Sequence, residues 1–144
     1  MVNNNQTIGF TGARKGMTLE QKQTVEEIVQ SLDGATHCVH GDCIGADADF
    51  HDICVSTGLV PRLRPCTYEN MRAYCEGEEV DYPKRPMQRN RDIVAEANVM
   101  IACPPNYDEI KSGSGTWATI KFSRRAKKPL YIIYPDGSLD YEIH

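Results

Sequence analysis

Apolar residues fall in short blocks, separated by stretches with helical periodicity. Thr7-Ile8-Gly9-Phe10 is apolar and runs into Thr11-Gly12, which predicts a first strand ending in a turn. Leu19, Val25, Ile28, Val29 and Leu32 then recur at helical spacing. Thr18 is placed to cap that helix, Gln21 completes a capping box, and Gly34 supplies the stop. Residues 36–40 predict a second strand, 46–57 a second helix closed by Gly58, and 59–63 a third strand. Residues 88–97 read as a helix with Ile93, Val94 and Ala97 on its apolar side. Residues 99–103 are apolar throughout, as in a buried strand, and 130–134 give another. Between them, 116–126 predict the last helix; the turn Pro135-Asp136-Gly137 follows the last strand. Residues 65–86 are less regular. A short helix is predicted over 68–74, while 76–86 are polar with two prolines, as in a lid, a binding loop or a disordered segment.

Strands alternating with helices imply a three-layer α/β/α, Rossmann-like domain with a mostly parallel sheet of about five strands. Right-handed crossovers favour the order 3-2-1-4-5. At 144 residues the chain suits one domain spanning 1–144. In such sheets ligands bind at the carboxyl ends of the strands, near the switch between the first and fourth.

Composition narrows the function classes. The net charge of −4 argues against general nucleic-acid binding, which wants a basic footprint. Lys121, Arg124, Arg125, Lys127 and Lys128 form a basic cluster, which reads as favourable charge near a helix C-terminus or as a partner surface. No apolar run nears the ~18 residues of a membrane span, and residues 1–6 are polar. A cytoplasmic protein with no membrane partner is expected. The six cysteines include no CxxC pair, so free thiols are expected.

The candidate chemistry lies in three glycine loops, each after a strand. The stretch Ser112-Gly113-Ser114-Gly115-Thr116 opens the last helix, where unpaired backbone N–H groups and the helix dipole favour an anion such as phosphate. Trp117, next in line, reads as packing or as a stacking surface for a base. The first loop includes Gly12, Ala13 and Arg14; it is neither a Walker A loop nor GxGxxG, and reads as an ordinary turn or a ligand loop. The second loop carries Gly41, Asp42, Gly45 and Asp47, whose carboxylates suit sugar hydroxyls; Asp47 equally suits a helix cap. His51 lies one helical turn beyond Asp47, so the two are placed to face each other, as an acid–base pair or a structural hydrogen bond. Arg89 and Asn90 open the fourth helix and reach toward the strand ends, or form a solvated basic turn. His37, Cys38, His40, Cys43 and His51 match no standard zinc spacing, so no metal site and no cofactor are expected.

Four stretches together resemble the SLOG superfamily, Rossmann-like domains that include the LOG phosphoribohydrolases and the DNA-processing protein DprA. They are GFTGARKGMT at 9–18, HGDCIGADADFH at 40–51, QRNRDIVAEANVMIACPP at 88–105 and SGSGTWATIKFSRRAKKP at 112–129. The resemblance implies binding of a nucleotide or nucleotide-derived molecule, with phosphate at Gly113, Ser114, Gly115 and Thr116. LOG enzymes carry a glycosidic-bond-cleaving glutamate where this chain has Thr119. The leading expectation is therefore a sensor, carrier or sequestering protein. The alternative is a nucleoside 5′-monophosphate glycosidase using Asp47, with His51 as acid. A homo-oligomer completing the pocket is compatible with either.

Overall fold

The computed structural model describes residues 5–109 and 115–144. Seven strands form one sheet: β1 (Gln6–Gly12), β2 (Ala35–His40), β3 (Val60–Leu63), β4 (Glu79–Val80), β5 (Val99–Cys103), β6 (Leu130–Ile133) and β7 (Leu139–Glu142). Their order is β4-β3-β2-β1-β5-β6-β7. All neighbours are parallel except β6 and β7. Four helices accompany them: α1 (Leu19–Ser31), α2 (Ala46–Ser56), α3 (Pro86–Glu96) and α4 (Gly115–Arg125). The central five strands carry the predicted order, and the architecture is the expected Rossmann-like α/β sheet.

The strand count is a correction: seven against about five. β4 is two exposed residues at one edge, too short to show a pattern. β7 returns antiparallel on β6 through the turn at Gly137, whose φ of 83° is in the left-handed region. Leu139 and Tyr141 of β7 stay exposed, so burial leaves no alternation to read there. The helix expected over 68–74 is instead a 3-10 turn at Glu69–Met71.

Period-two alternation sorts the core onto two faces. Ile8, Phe10, Val99 and Ile101 pack under α1 and α2 with Val25, Ile28 and Phe50. Val39, Met100, Ala102 and Ile132 pack under α3 and α4 with Ile93, Trp117 and Ile120. Trp117 is therefore a core residue, and its Nε1 donates to Asn106 Oδ1 at 2.9 Å. Thr18 makes the predicted capping box: its Oγ1 accepts from the Gln21 backbone while Gln21 Oε1 accepts from the Thr18 backbone. No helix among the described residues is long and apolar enough to cross a membrane.

Candidate functional site

Parallel strands deliver the loops after β1, β2, β3 and β5 to one sheet edge. A cavity of about 540 Å³ opens there, within the range of small-molecule sites. Thr11, Gly12, Ala13, Arg14 and Lys15 line it from the end of β1 and the loop beyond. Gly41, Cys43 and Asp47 line it from the second loop and the start of α2. Cys66, Tyr68 and Met71 follow β3, while Met87, Arg89 and Asn90 come from α3. Gly115 and Thr116 complete it from the first turn of α4. Gly113 and Ser114 lie outside the described residues.

Buried polar residues mark one part of the cavity wall. Thr11, Asn90 and Thr116 are 9%, 8% and 3% exposed, and all three line the cavity. Thr11 Oγ1, Thr116 Oγ1 and Asn90 Nδ2 have no hydrogen-bond partner among the described residues. The residues are buried, but these atoms keep contact with solvent at the cavity surface, where they are free to meet a partner. Asn90 Nδ2 lies beside Gly115, since a Cβ added there would sit 3.8 Å away. These groups gather where β1 and β5 diverge, at an α4 N-terminus with no acidic residue in its first turn. Exposed Arg14 makes no ion pair among the described residues, while Lys15 Nζ contacts the Pro105 carbonyl oxygen at 3.5 Å.

Arg89 reaches the strand ends, as one of its two sequence readings has it, and is held there by protein groups. Its Nη1 donates to the carbonyls of Gly41 at 2.7 Å and Arg64 at 3.2 Å. Its Nε donates to Asn90 Oδ1 at 2.8 Å, which turns the Asn90 amide so that Nδ2 is the end left unpaired. Arg89 thus binds the loops after β2 and β3 together and orients Asn90. Its positive charge also acts on Asp47, which is 7% exposed and accepts from the Cys43 backbone at 3.1 Å. Burial pushes the Asp47 carboxyl up to about 6, with Arg89 and the Cys43 N–H holding it back.

Asp47 and His51 do not pair with each other. His51 Nδ1 lies 2.9 Å from His40 Nε2, because β2 runs directly beneath α2. His40 Nδ1 accepts from the Asp42 backbone at 2.9 Å, so the proton sits on its Nε2 and is donated to His51. Burial foremost, aided by the nearby His51 and Arg89, holds His40 near 3 and therefore neutral. Among the described residues, His40, His51 and Cys75 bring ligand atoms within 4.8 Å of one another. A metal on His40 Nε2 would need the other ring nitrogen to donate, whereas here it accepts. The cluster fits a hydrogen-bonded chain rather than a metal centre.

Asp42, expected to read a sugar, has both carboxylate oxygens occupied by protein. Oδ2 accepts from Arg72 Nε at 3.1 Å and Oδ1 from the Cys75 backbone at 2.9 Å. It is fully buried and does not line the cavity. Gly45 also lies off the cavity; at φ 101° it packs on the first loop, where an added Cβ would run into the Arg14 carbonyl oxygen. Thr119 is fully buried, its Oγ1 turned back to the Gly115 carbonyl at 2.9 Å. Glu109 pairs with Lys121 at 2.9 Å. Sequence reasoning missed Cys66, Tyr68, Met71 and Met87 as cavity residues; no periodicity marks the segment after β3.

Solved structures share this fold. A molybdenum cofactor binding protein from Rippkaea orientalis superposes with TM-score 0.70 at 13% identity, over 91% of this chain and 77% of that one. TM1055 gives TM-score 0.64 at 15% identity, over 87% of this chain and 72% of that one. DNA processing protein A from Helicobacter pylori gives 0.60 at 18% identity, over 90% of this chain and 65% of that one. The chain shares the Rossmann-like fold of these proteins. No protein-family model and no curated protein matches its sequence. These neighbours differ in what they bind: one is a molybdenum cofactor binding protein, another binds single-stranded DNA. The fold therefore gives no support to the expectation, read from net charge, that nucleic acid is an unlikely partner.

Proposed function

We propose that this chain binds a nucleotide-derived small molecule by its phosphate at the N-terminus of α4, as a sensor, carrier or sequestering protein. The observation that carries this reading is the convergence on one cavity of three buried residues, Thr11, Asn90 and Thr116, whose Oγ1, Nδ2 and Oγ1 atoms have no protein partner among the described residues and face its solvent. Asn90 Nδ2 donates, both hydroxyls donate or accept, and the helix terminus adds backbone N–H groups. Arg14 and Lys15 at the cavity wall offset phosphate charge. The cofactor-binding neighbour of like fold supports a small-molecule ligand. The test is ultrafiltration of the protein with nucleoside mono- and diphosphates, cyclic forms and a single-stranded oligonucleotide. Retention of an intact nucleotide, lost in Gly115→Asp, is expected. Equal retention by Gly115→Asp contradicts the phosphate assignment, and retention of the oligonucleotide alone contradicts the ligand class.

A second reading rests on Asp47. A buried cavity carboxylate held near 6 suits stabilisation of an oxocarbenium-like ribose, as a nucleoside 5′-monophosphate glycosidase requires. Free base in the filtrate, absent with Asp47→Asn, would favour catalysis over binding alone. His51 as the acid has less support, since its Nδ1 is taken by His40 and it does not line the cavity.

A further inference from the structure

Charge is unevenly placed along this chain. Residues 69–81 carry five carboxylates and one arginine, a formal −4 that equals the charge of the whole chain. Residues 121–128 carry five cations and no carboxylate. The first stretch leads into β4, the outermost strand on one side of the sheet, and includes it. The second ends α4 and leads toward β6. From β4 to β6 is five strand spacings, about 24 Å. Salt screens charges beyond about 10 Å, so the two stretches do not neutralise each other within one molecule.

The fold uses part of each stretch. Arg64 pairs with Glu79 at 3.0 Å and Lys84 with Asp81 at 3.3 Å, while Arg62 reaches Glu78 at 3.4 Å. Glu76 is exposed and makes no ion pair among the described residues. At the other end Lys121 pairs with Glu109, Arg124 with Glu142, and Lys128 donates to the Ala97 carbonyl oxygen at 2.7 Å. Arg125 and Lys127 are exposed and make no ion pair among the described residues. The helix dipole accounts for Arg125 in the last turn of α4, and not for Lys127 beyond it.

The β4 side also exposes apolar surface. Its outer edge has no strand beyond it, Val80 is 49% exposed and Tyr82 is 87% exposed. Carboxylates beside a tyrosine ring suit a guanidinium, which pairs with the first and stacks on the second. Two β4 edges set together put acid against acid, and two α4 ends put base against base. Opposite charges meet when the β4 edge of one copy faces the α4 end of another.

We infer that this chain self-associates in that way: the β4 edge, with Glu76, Glu78, Val80 and Tyr82, docks on Arg125 and Lys127 of a second copy. Each copy carries both halves of the contact, so copies add head to tail unless the geometry closes a ring. The contact is independent of what the cavity binds.

The experiment is sedimentation of the wild type and two double variants, Glu76→Lys with Glu78→Lys and Arg125→Glu with Lys127→Glu, across protein concentration and salt. All four side chains are exposed, and an exposed ion pair such as that of Glu78 with Arg62 contributes little to stability, so both variants keep the fold. The wild type is expected to gain mass with concentration at low salt and to return to monomer at about 0.5 M salt. Each variant alone is expected to stay monomeric, and an equimolar mixture of the two to associate again. A wild type that stays monomeric at low salt up to millimolar concentration overturns the inference. So does association that survives high salt, survives either charge reversal, or is not regained on mixing.

Discussion

Replacing Asp47 by Asn should stabilise this protein at neutral pH, the reverse of what losing a buried charge in an ion pair does. The carboxyl moves from its ordinary 3.8 to about 6 on folding, chiefly because it is buried. The folded state therefore holds the proton more tightly than the unfolded chain. Stability contributed by that proton is present below pH 3.8 and is lost as pH rises through about 6. The gap between the two values corresponds to about 3 kcal/mol of lost stability at pH 7. Asn keeps a carbonyl oxygen for the Cys43 N–H and stays neutral at every pH, so it should recover about 1–3 kcal/mol there. Urea unfolding of both proteins between pH 4 and 8 measures this directly. The difference between the curves should grow from pH 4 to about 6.5 and then level off. An Asn variant less stable at pH 7, or a difference insensitive to pH across that window, would refute the reasoning. Arg89 would then be neutralising Asp47 fully, and the cavity would hold a settled ion pair.

Further expectations concern the loops that shape the cavity. Gly45→Ala adds a Cβ at φ 101° against the Arg14 carbonyl oxygen and should destabilise by more than about 2 kcal/mol in a denaturant melt. Asp42→Asn removes charge from the buried carboxylate that holds Arg72 and should cost about 2–3 kcal/mol in the same melt. Thr18→Ala breaks the capping box and the hydrogen bond to the Pro135 carbonyl, at about 1–2 kcal/mol by thermal melting, with nucleotide affinity unchanged.

Much of this architecture is legible in the sequence because it is written locally. The Thr18 and Gln21 cap, the apolar block at 99–103 and the spacing of Ile93 and Val94 each state an element within a few residues. Once the alternation is read, the handedness of crossovers gives the central strand order. The parts missed depend on distant partners. Asp42 meets Arg72 across 30 residues and Cys75 across 33, so its structural role cannot be seen in the second loop alone. His51 keeps its helical spacing from Asp47 but bonds to His40, because strand and helix packing sets the closer partner. Arg89 reads equally as a solvated basic turn in the sequence and is instead a buried tie between two loops. The segment after β3 has no period to read, only hydrogen bonds to a loop some thirty residues earlier.

The central claim is that a phosphate sits at the start of α4, reached by Asn90 and Thr116. Titration of ¹⁵N-labelled protein with AMP, followed by amide correlation spectra, tests it at atomic positions. Saturable shifts at the Gly115 and Thr116 backbone amides and the Asn90 side-chain amide are expected, with ribose 5-phosphate reproducing them. Saturable AMP binding that leaves these three groups unmoved, or no binding at millimolar AMP, would contradict the account.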